Sequence, residues 1–377
     1  MSLIALNALQ VLNRSGTGYY SRKLVENLPY CTKGHDLIAV LPQRFASNPI
    51  CSTLAQRKNV RLMFVRFVGQ MSRILYEQTV LPRVLAKQGV ELVHSMAFTA
   101  PMFLTMKSVV TVHDLAYRLF PDTLPAFRRV YLEKFTGRAC EKADRVITVS
   151  LAAANDVREN LSVPQDKIAV VHEGGLEGRA LNPQVEKEHL RRLVGENSSY
   201  VLSMGTMEPR KNLARLIEAF SLVRSELEIS PKLVVVGRKG WMTEDVRTAY
   251  AEANLCDAVI WTGFLPTSVV LSLMKNASLY VMPSLYEGFG LPLVTAMSYG
   301  TPIAASDAGS IPEVVGDAAA LFDPYDVRSI ADAVIEALRN PEVLRSLTKR
   351  GKERSNLFSW RKCAEETVEV YEEALSA

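Results

Sequence analysis

Short apolar runs alternate with helix-length segments of mixed polarity from one end of the chain to the other. Many of these runs are nearly continuous in Val, Ile and Leu, which is typical of strands covered on both faces. The strands predicted from them are residues 3–8, 36–41, 60–64, 92–94, 109–113, 145–149, 167–171, 200–204, 232–236, 259–262, 279–282 and 302–305. Regular alternation with helices predicts parallel sheets and an α/β architecture.

The pattern is interrupted near residues 174–183, where three glycines and a proline occur before a charged helix and a new strand. We therefore predict two doubly wound, Rossmann-like domains of similar size, residues 1–180 and 181–356, facing a cleft. The end of the chain, residues 359–377, predicts one amphipathic helix.

The composition supports this organisation. The chain has 377 residues, 48% of them apolar, which is enough for two cores of ordinary domain size. Its apolar runs are too short to span a bilayer, and its first ten residues predict a strand rather than a secretory signal. A disulfide framework or a zinc site is disfavoured and a reducing cytoplasm is favoured, because the cysteines are scattered and form no Cys-x-x-Cys pair. The cysteines are Cys31, Cys51, Cys140, Cys256 and Cys363.

Positive charge is concentrated in residues 51–90, although the whole chain has a net charge of only +4. The segment is either a solvated surface or a surface that attracts anionic lipid or a phosphate-bearing acceptor, since apolar residues surround Arg66 and Arg73. Nucleic acid is not expected as a partner, because no nucleic-acid-binding motif accompanies the segment. The basic residues are Arg57, Lys58, Arg61, Arg66, Arg73, Arg83 and Lys87, against the single acid Glu77.

The stretch 283–300 combines a preceding strand, a glycine-bearing loop and a helix opened by Pro292. This order presents free backbone N–H groups to an anion. Gly288 and Gly290 have no β-carbon, so a phosphate is able to approach the main chain closely. Glu287 stands at the start of the loop. The stretch therefore predicts a nucleotide-diphosphate site with an acid beside it.

A second loop, residues 205–212, follows the first strand of the second half and contains Gly205, Arg210 and Lys211. Two adjacent cations close to a glycine turn are suited to neutralise a diphosphate leaving group. The alternative is an exposed basic loop. Arg238 and Phe264 each follow a glycine at the end of a later strand, and we expect them to flank a nucleobase.

Two features of the first half are also candidates. Gly16 and Gly18 form a turn before a helix predicted at residues 22–28, which is either a ligand-binding turn or simply a tight one. His113 ends a buried strand, where open α/β sheets place ligands, so it is either functional or structural. His94 has a similar position and a weaker case. His35, His172 and His189 are interpreted as structural.

The sequence motifs that several reaction classes require are absent from the chain. The chain has no Asp-x-Asp triplet, no His-Glu-x-x-His motif and no His/Cys cluster with ligand spacing, so we expect no protein-held metal. Acyl hydrolysis and ATP-driven phosphoryl transfer are disfavoured, because the Gly-x-Ser-x-Gly and P-loop patterns are absent as well.

Taken together, these stretches resemble the family 4 glycosyltransferases of the GT-B fold, in particular bacterial mannosyl- and glucosyltransferases of polysaccharide biosynthesis. The resemblance runs across nearly the whole chain, and its pieces occur in the family's order. They are residues 16–20, 111–114, 205–212, 237–241 and 283–300, with further family-like sequence at 309–313 and 316–319.

The resemblance implies transfer of a hexose from a nucleotide-diphosphate sugar, such as UDP-glucose or GDP-mannose, with retention of configuration and without a metal or other cofactor. The acceptor would be a saccharide or a lipid-linked saccharide. The first domain would offer the acceptor, the second would hold the donor, and the last helix, 357–377, would return to the first domain. The implied location is the cytoplasm, with possible peripheral attachment to the inner face of the cell membrane.

The resemblance also implies roles for individual residues. Glu287 would lie by the donor sugar hydroxyls, Arg210 and Lys211 would stabilise the departing diphosphate, and His113 would touch the donor sugar or support the transition state. The donor-binding set would be Gly16, Gly18, Gly205, Arg238, Phe264, Gly288, Phe289, Gly290, Leu291 and Thr295, with the amides of Gly290 and Leu291 directed at the phosphates and Gly16 and Gly18 admitting phosphate or acceptor.

Two positions depart from the family pattern. Thr295 replaces a second glutamate that normally binds the ribose hydroxyls, and Thr206 stands where an arginine is usual. Threonine retains one hydrogen bond but supplies no bidentate, charge-assisted contact. An alternative hypothesis is therefore a non-catalytic nucleotide-sugar-binding homologue that acts as a partner subunit. A sugar-nucleotide epimerase would not account for the order of the motifs.

Overall fold

The structure, a computed structural model, describes residues 2–13, 15–32, 34–123, 126–178, 181–196, 199–228, 231–238, 244–253, 255 and 257–377. The chain forms two compact units, Met1–Glu173 with Ser359–Ala377, and Gly174–Phe358. The boundaries predicted from the sequence were 180/181 and 356/357. Cys256 and part of the 237–241 motif, residues 239–241, lie outside the described residues.

The first unit contains a parallel sheet of seven strands in the order β3-β2-β1-β4-β5-β6-β7. The strands are β1 (Leu3–Asn7), β2 (Asp36–Pro42), β3 (Val60–Val65), β4 (Leu92–Ser95), β5 (Lys107–Val112), β6 (Arg145–Thr148) and β7 (Ile168–Val170). The helices between them are α1 (Gly16–Cys31), α2 (Pro49–Ala55), α3 (Gly69–Thr79), α4 (Leu81–Lys87), α5 (Ala116–Leu119), α6 (Ala126–Lys142) and α7 (Leu151–Leu161).

The second unit contains a parallel sheet of six strands in the order β10-β9-β8-β11-β12-β13. The strands are β8 (Tyr200–Met204), β9 (Lys232–Val236), β10 (Val259–Gly263), β11 (Leu279–Met282), β12 (Ile303–Ser306) and β13 (Ala319–Phe322). The helices are α8 (Pro183–Val194), α9 (Leu213–Glu226), α10 (Glu244–Glu252), α11 (Thr267–Asn276), α12 (Leu291–Tyr299), α13 (Ile311–Val315), α14 (Val327–Arg339) and α15 (Pro341–Ser355).

All of the strands predicted from the apolar runs are present, and the sheets are parallel, as predicted. The pattern missed β13, the last strand of the second sheet. This strand lies at an edge, and its sequence, Ala-Ala-Leu-Phe, is short and only partly buried. A strand with one neighbour buries less apolar surface and therefore has a weaker hydrophobic signature.

The chain ends in α16 (Trp360–Ser376), which belongs to the first unit, as predicted for the returning helix. Ser359 caps it by accepting a hydrogen bond from the Lys362 amide. One face of α16, including Trp360 and Tyr371, is buried, and the helix packs against α1. Among the described residues, no helix combines the length and the apolar character needed to cross a bilayer.

Candidate functional site

The second sheet has a topological switch point between β8 and β11, which are neighbours in the sheet although β9 and β10 lie between them in the chain. The connection after β8 leads to β9 on one side, whereas β11 is followed by β12 on the other. Ligands of open α/β sheets bind outside the carboxyl ends of strands at such a point. Both predicted phosphate loops, 205–212 and 283–290, begin there.

Four charged side chains meet at this switch point: Glu208, Arg210, Lys211 and Glu287, called here the charged cluster. Lys211 Nζ lies 2.5 Å from Glu287 Oε1, and Arg210 Nη1 lies 3.0 Å from Glu287 Oε2. Arg210 Nη2 also contacts Glu208 Oε1 at 2.7 Å. Two cations are therefore compensated by two carboxylates, and all four side chains are mostly buried.

The pKa of Glu287 reflects this pairing. Burial acts to raise the pKa, but the charges of Lys211 and Arg210 outweigh burial and lower it to about 2. Glu287 is therefore an anion at neutral pH. An ionised carboxylate accepts hydrogen bonds from cations or from sugar hydroxyls and does not act as an acid.

Hydrogen bonds to backbone carbonyls join the two loops that carry the charged cluster. The Leu285 amide donates to the Arg210 carbonyl at 2.8 Å, and Arg210 Nη1 donates to the Tyr286 carbonyl at 2.6 Å. Asn212 Nδ2 donates to the carbonyls of Pro283 (3.0 Å) and Pro324 (2.7 Å), which lie one residue after β11 and two residues after β13. The loops therefore fix one another, which preorganises their charges.

Ser310, at the start of α13, holds the Glu287 loop from its other side. Its hydroxyl lies 3.0 Å from the carbonyl oxygens of both Glu287 and Phe289. Gly309 has φ of 57°, and a β-carbon there would lie 3.0 Å from the Glu287 carbonyl oxygen. A larger residue at Gly309 would strain this contact, which gives a structural reason for the family-like sequence at 309–313.

The first turn of α12 completes the arrangement. Gly290 precedes it with φ of 106°, in the left-handed region that favours glycine. In the first turn of α12, Pro292 has no amide hydrogen and the Leu293 amide donates to the Gly290 carbonyl at 2.8 Å, so the Leu291 amide is the one suited to an anion. The side chains of Phe289 and Leu291 are buried, and the Phe289 ring packs against Phe358 with centroids 5.7 Å apart. In this stretch the side chains therefore pack inside the second unit.

A glycine directly follows each of β8 and β9, and a glycine is the last residue of the neighbouring strand β10. Gly237 approaches Gly205 so closely that a β-carbon would lie 1.7 Å from the Gly205 carbonyl oxygen. Gly237 also donates its amide to the Gly263 carbonyl at 3.1 Å. The following side chains, Arg238 and Phe264, are exposed. Beside them lies a cavity of about 310 Å³, lined by Met207, Gly237, Val246, Arg247, Tyr250, Trp261 and Gly263.

Thr295 has partners that the sequence did not indicate. It is fully buried, and its hydroxyl donates to the Leu291 carbonyl at 2.7 Å. The same oxygen accepts from the Leu176 amide at 2.8 Å. The single hydroxyl proton is therefore used within the protein, and Thr295 attaches α12 to the segment that begins the second unit. The predicted contact with ribose stays a prediction.

In the first unit, the glycine turn belongs to α1 itself. The helix begins at Gly16, not at residue 22 as the sequence predicted. Gly18 is buried in its first turn, and a β-carbon there would lie 2.0 Å from the Asn13 carbonyl oxygen. Gly18 is thus required by close backbone packing, which the sequence pattern alone did not distinguish from a ligand-binding turn.

His113 follows β5 directly and is buried. Its Nε2 lies 3.0 Å from the Met96 carbonyl oxygen, and its Nδ1 lies 3.2 Å from Glu173 Oε1. The Tyr20 ring meets the imidazole edge-on, with centroids 4.7 Å apart. Both ring nitrogens therefore have partners in the protein.

His94 joins a second buried network, from β4 to α16. Its Nδ1 lies 2.6 Å from the Tyr371 hydroxyl and its Nε2 lies 2.8 Å from Thr111 Oγ1. Burial, together with the charge of His113, lowers the pKa of His94 to about 3. His94 is therefore neutral at physiological pH and connects the sheet to the last helix.

Comparison with known proteins agrees with this architecture. Residues 14–174 match the family model described as Glycosyltransferase Family 4, and residues 185–354 match Glycosyl transferases group 1. The chain is 32% identical over 267 residues to the O-antigen chain mannosyltransferase B of Escherichia coli, a match that covers 70% of each protein. The chain belongs to the family 4 glycosyltransferases.

Two further matches extend the comparison, one to a longer relative and one to a solved structure. It is 30% identical to a serotype-specific mannosyltransferase WbdA of Escherichia coli over 72% of its own chain, but this covers only 34% of that longer protein. The solved structure of sucrose-phosphate synthase from Thermosynechococcus elongatus has a TM-score of 0.77 at 21% identity, covering 99% of this chain and 98% of that one. The fold is accordingly GT-B, with two Rossmann-like units.

The basic segment of the glycosyltransferase is not one uniform surface. Arg73 Nη1 contacts Glu77 Oε2 at 2.8 Å, and both side chains are largely buried. Arg57 stacks over Tyr30, 3.8 Å from the ring centroid. The expectation that Arg73 contributes to a charged surface was therefore wrong, because its charge is compensated inside the unit. The exposed cations of the segment are Lys58, Arg61, Arg66, Arg83 and Lys87.

Sequence reasoning brought together Glu287, Arg210 and Lys211 correctly as neighbours, but it missed several residues that hold the glycosyltransferase site. Glu208 and Asn212 lie within the 205–212 motif, but the motif did not indicate a separate role for either residue. Nothing in the sequence indicated that Glu173 faces His113. The one indication for Glu173 in the sequence is its position: it ends a segment that contains a predicted strand, just before the glycine-rich break at residues 174–178.

Proposed function

We propose that the protein is a retaining glycosyltransferase that moves a hexose from a nucleotide-diphosphate sugar to a saccharide or lipid-linked saccharide in surface or exported polysaccharide synthesis, without a metal. The observation that carries the proposal is the charged cluster at the switch point of the second sheet. The relatives reported above are named mannosyltransferases. This favours mannose as the hexose and a saccharide chain as the acceptor.

The charged cluster suits the chemistry of this reaction. Negative charge builds on the diphosphate as its bond to the sugar breaks, while the sugar becomes oxocarbenium-like. Lys211 and Arg210, with the amides of Gly290 and Leu291 at the start of α12, would supply positive charge where the diphosphate lies. Glu287 and Glu208 hold these cations in place, so little reorganisation is needed when the donor arrives.

Glu287 is proposed to recognise donor sugar hydroxyls rather than to attack the sugar. Its low pKa keeps it ionised, and its two oxygens already accept from Lys211 and Arg210. The acceptor hydroxyl would attack from the face that the diphosphate leaves, which retains the configuration. We propose that Arg238 and Phe264 flank the base, beside the cavity that Tyr250 and Trp261 line.

The test is a rate comparison across UDP- and GDP-linked glucose, galactose and mannose, measuring both transfer and donor hydrolysis. Lys211→Ala should lower kcat about a hundredfold, because a group that stabilises charge in the transition state is lost. Lys349→Ala, which removes an exposed lysine from α15, is the matched control and should leave kcat unchanged. Equal rates in the wild type and Lys211→Ala would contradict the proposal.

Calorimetry with the same nucleotides distinguishes the proposed enzyme from the alternative, a non-catalytic homologue. Binding of a nucleotide diphosphate with no turnover on any donor would favour a non-catalytic, nucleotide-sugar-binding partner subunit. The base that binds more tightly would also assign the donor as a UDP- or GDP-sugar.

We also propose peripheral attachment to the inner face of the cell membrane through α3 and its flanks. Val68, Met71 and Leu75 lie on one face at helical spacing and are 88%, 60% and 64% exposed. Exposed cations, including Arg61 and Arg66, lie on the preceding segment. Apolar side chains between cations are suited to an anionic lipid surface.

Vesicle flotation tests this attachment. Phosphatidylglycerol-containing vesicles should retain the wild type and phosphatidylcholine vesicles should not, and Met71→Ser with Leu75→Ser should reduce retention severalfold. Leu321→Ser, at another exposed leucine, is the control. Equal retention on both kinds of vesicle, or no effect of the α3 substitutions, would contradict attachment by this face.

A further inference from the structure

The first sheet has a topological switch point of its own, between β1 and β4. The chain leaves β1 for β2 on one side, whereas β4 is followed by β5 on the other. Asn7 and Ser95 end these two strands and are partners in the parallel register, so their side chains lie on the same face of the sheet. Open α/β sheets bind ligands outside the carboxyl ends of the strands at such a point.

Two charged side chains of α3 meet the end of β1 here. Arg73 Nη1 lies 2.8 Å from Glu77 Oε2, and Asn7 Nδ2 donates to Glu77 Oε1 at 3.4 Å. Asn7, Ser95, Glu77 and Arg73 are called here the first-sheet cluster. All four side chains belong to the first unit, and all four are largely buried.

The hydrogen bonding of the first-sheet cluster is incomplete. Asn7 Oδ1 and Ser95 Oγ are buried and have no hydrogen-bond partner among the residues that the structure describes. Turning the Asn7 amide round would not help, because it would place Oδ1 against the Glu77 carboxylate. A buried polar atom without a partner costs stability, and native proteins satisfy nearly all such atoms. Two of them on neighbouring strand ends indicate a partner that the protein chain does not itself supply.

Stability alone does not account for the charged pair of this cluster. Arg73 and Glu77 are four residues apart on the same helix, so their ion pair joins α3 to no other element. Burying both charges costs desolvation free energy, and well-packed apolar side chains of similar volume often stabilise a fold as well or better. The link from the pair to the sheet is the Asn7 contact, which at 3.4 Å is long for an N–H···O hydrogen bond.

The chemistry of the first-sheet cluster selects the class of ligand. Glu77 compensates the charge of Arg73, so a phosphate would meet a carboxylate without gaining a free cation from the cluster. A hydroxyl group, in contrast, is both donor and acceptor, and is able to donate to Asn7 Oδ1 while it accepts from Ser95 Oγ. Asn7 is 7% exposed, about as much as Glu287 at 8%, so a small side-chain movement admits such a group. A neutral molecule with several hydroxyl groups satisfies these conditions.

We infer that the first-sheet cluster binds hydroxyl groups of the acceptor saccharide, with Asn7 and Ser95 in direct contact with the sugar. Glu77, paired with Arg73, holds the Asn7 amide so that its oxygen faces the ligand. The inference rests on the proposed function for the word acceptor, and it deepens that function. It assigns a neutral sugar ring to this point of the first unit, so a phosphate-bearing part of the acceptor binds elsewhere.

The test is saccharide binding to the full-length protein without donor, measured by saturation-transfer NMR with mannotriose, maltotriose and lactose as probes. The wild type should bind at least one of them. Asn7→Ala and Ser95→Ala should each weaken the affinity for that saccharide about tenfold, because a hydrogen bond to the sugar is lost. Ser272→Ala is the matched control and should leave the affinity unchanged. Its hydroxyl is also buried without a partner among the described residues, but it lies within α11.

Thermal unfolding distinguishes binding from a structural role. Ser95→Ala removes a hydroxyl that has no partner within the described protein, so its Tm should stay the same or rise while the saccharide affinity falls. A lower Tm with unchanged affinity would overturn the inference, and so would the absence of binding to all three saccharides. Inorganic phosphate, added as a competitor, should leave the saccharide signal unchanged. Displacement by phosphate would overturn the assignment of a neutral ligand.

Transfer kinetics then separate this inference from the proposed function. Ser95→Ala should raise the acceptor KM about tenfold and leave the donor KM unchanged, since the hydroxyl that is lost belongs to the acceptor site. If no donor supports transfer by the wild type, the proposed function fails, but the binding measurement still decides whether the first-sheet cluster holds a saccharide. Weaker saccharide binding together with an unchanged acceptor KM would contradict the assignment of this saccharide as the acceptor.

Discussion

The carboxyl edges of the two sheets are built from the same topology but from different chemistry. In the second unit, Arg210, Lys211 and two carboxylates gather where β8 and β11 part. In the first unit, the corresponding edge holds a buried network of hydroxyls and imidazoles, in which His94 is neutral and His113 is matched by Glu173. A diphosphate requires cations within reach, so under the proposed function the second sheet is the better site for the donor.

The comparison also shows that two sheets of the same topology carry different side-chain chemistry at their carboxyl edges. Parallel sheets place all the loops that follow their strands at the carboxyl edge, and the side chains in those loops decide what the edge binds. Charge at the second edge is held by ion pairs that a ligand can exchange. At the first edge, the ring nitrogens of His94 and His113 contact groups of the protein itself. The following four variants test this contrast, from the largest expected effect to the smallest.

Glu287→Gln should cause the largest loss of stability. The pKa of Glu287 is lowered from 4.5 to about 2 in the folded protein, so the stabilisation is fully present above pH 4.5 and is lost as the pH falls through 2. We expect a loss on the order of 3 kcal/mol at neutral pH, because two buried cations lose a partner. Urea unfolding of the variant and the wild type from neutral pH to acid measures it.

The difference between Glu287→Gln and the wild type should shrink as the pH approaches 2. Glu244→Gln, at an exposed glutamate of α10, should show no such difference at any pH. A loss for Glu287→Gln that does not depend on pH would mean that shape, rather than charge, holds this edge together.

Glu208→Gln should weaken the ion pair that positions Arg210, while both cations stay in the site. Its Oε1 accepts from Arg210 Nη2 at 2.7 Å, and glutamine keeps an oxygen but loses the charge. We expect kcat to fall about tenfold, less than for Lys211→Ala, because the guanidinium stays in the site. Steady-state transfer kinetics measure the change. A decrease as large as that for Lys211→Ala would make Glu208 part of the reaction itself.

Thr295→Val should cost about 1–2 kcal/mol of stability, because the buried Leu176 amide loses its acceptor. Donor affinity should be unchanged if Thr295 serves packing, and calorimetry with the donor nucleotide measures it. Thr295→Ser, which keeps the hydroxyl, is the matched control. A loss of affinity at unchanged stability would restore the ribose contact that the sequence predicted.

Tyr371→Phe should have the smallest effect, a loss of about 1 kcal/mol of stability in the first unit. It removes the hydroxyl that lies 2.6 Å from His94 and leaves Thr111 on the other ring nitrogen. Donor affinity should not change, since no charge is altered. Thermal unfolding and donor titration check both parts. A change in donor affinity would show that the two edges are coupled.

The local pattern of the chain was sufficient for most of the fold. Alternation of apolar runs with helices predicted parallel sheets, and α12 begins beside Pro292 as its sequence indicates. Edge strand β13 was missed because it buries little, and α1 begins earlier than predicted because Gly16 and Gly18 have no side chains to signal a helix. Both errors arise where the local hydrophobic signal is weak.

The sequence by itself determined which chemistry is present: glycine loops, adjacent cations and a carboxylate at strand ends. Only the tertiary structure decided the partners. Lys211 and Glu287 are 76 residues apart in the chain, and His113 and Glu173 are 60 apart. Strand order brings each pair together, and hydrophobic periodicity extends over a few residues, so it carries no information about which distant strands become neighbours. For the same reason, Arg73 was counted as a surface charge until the structure placed Glu77 beside it.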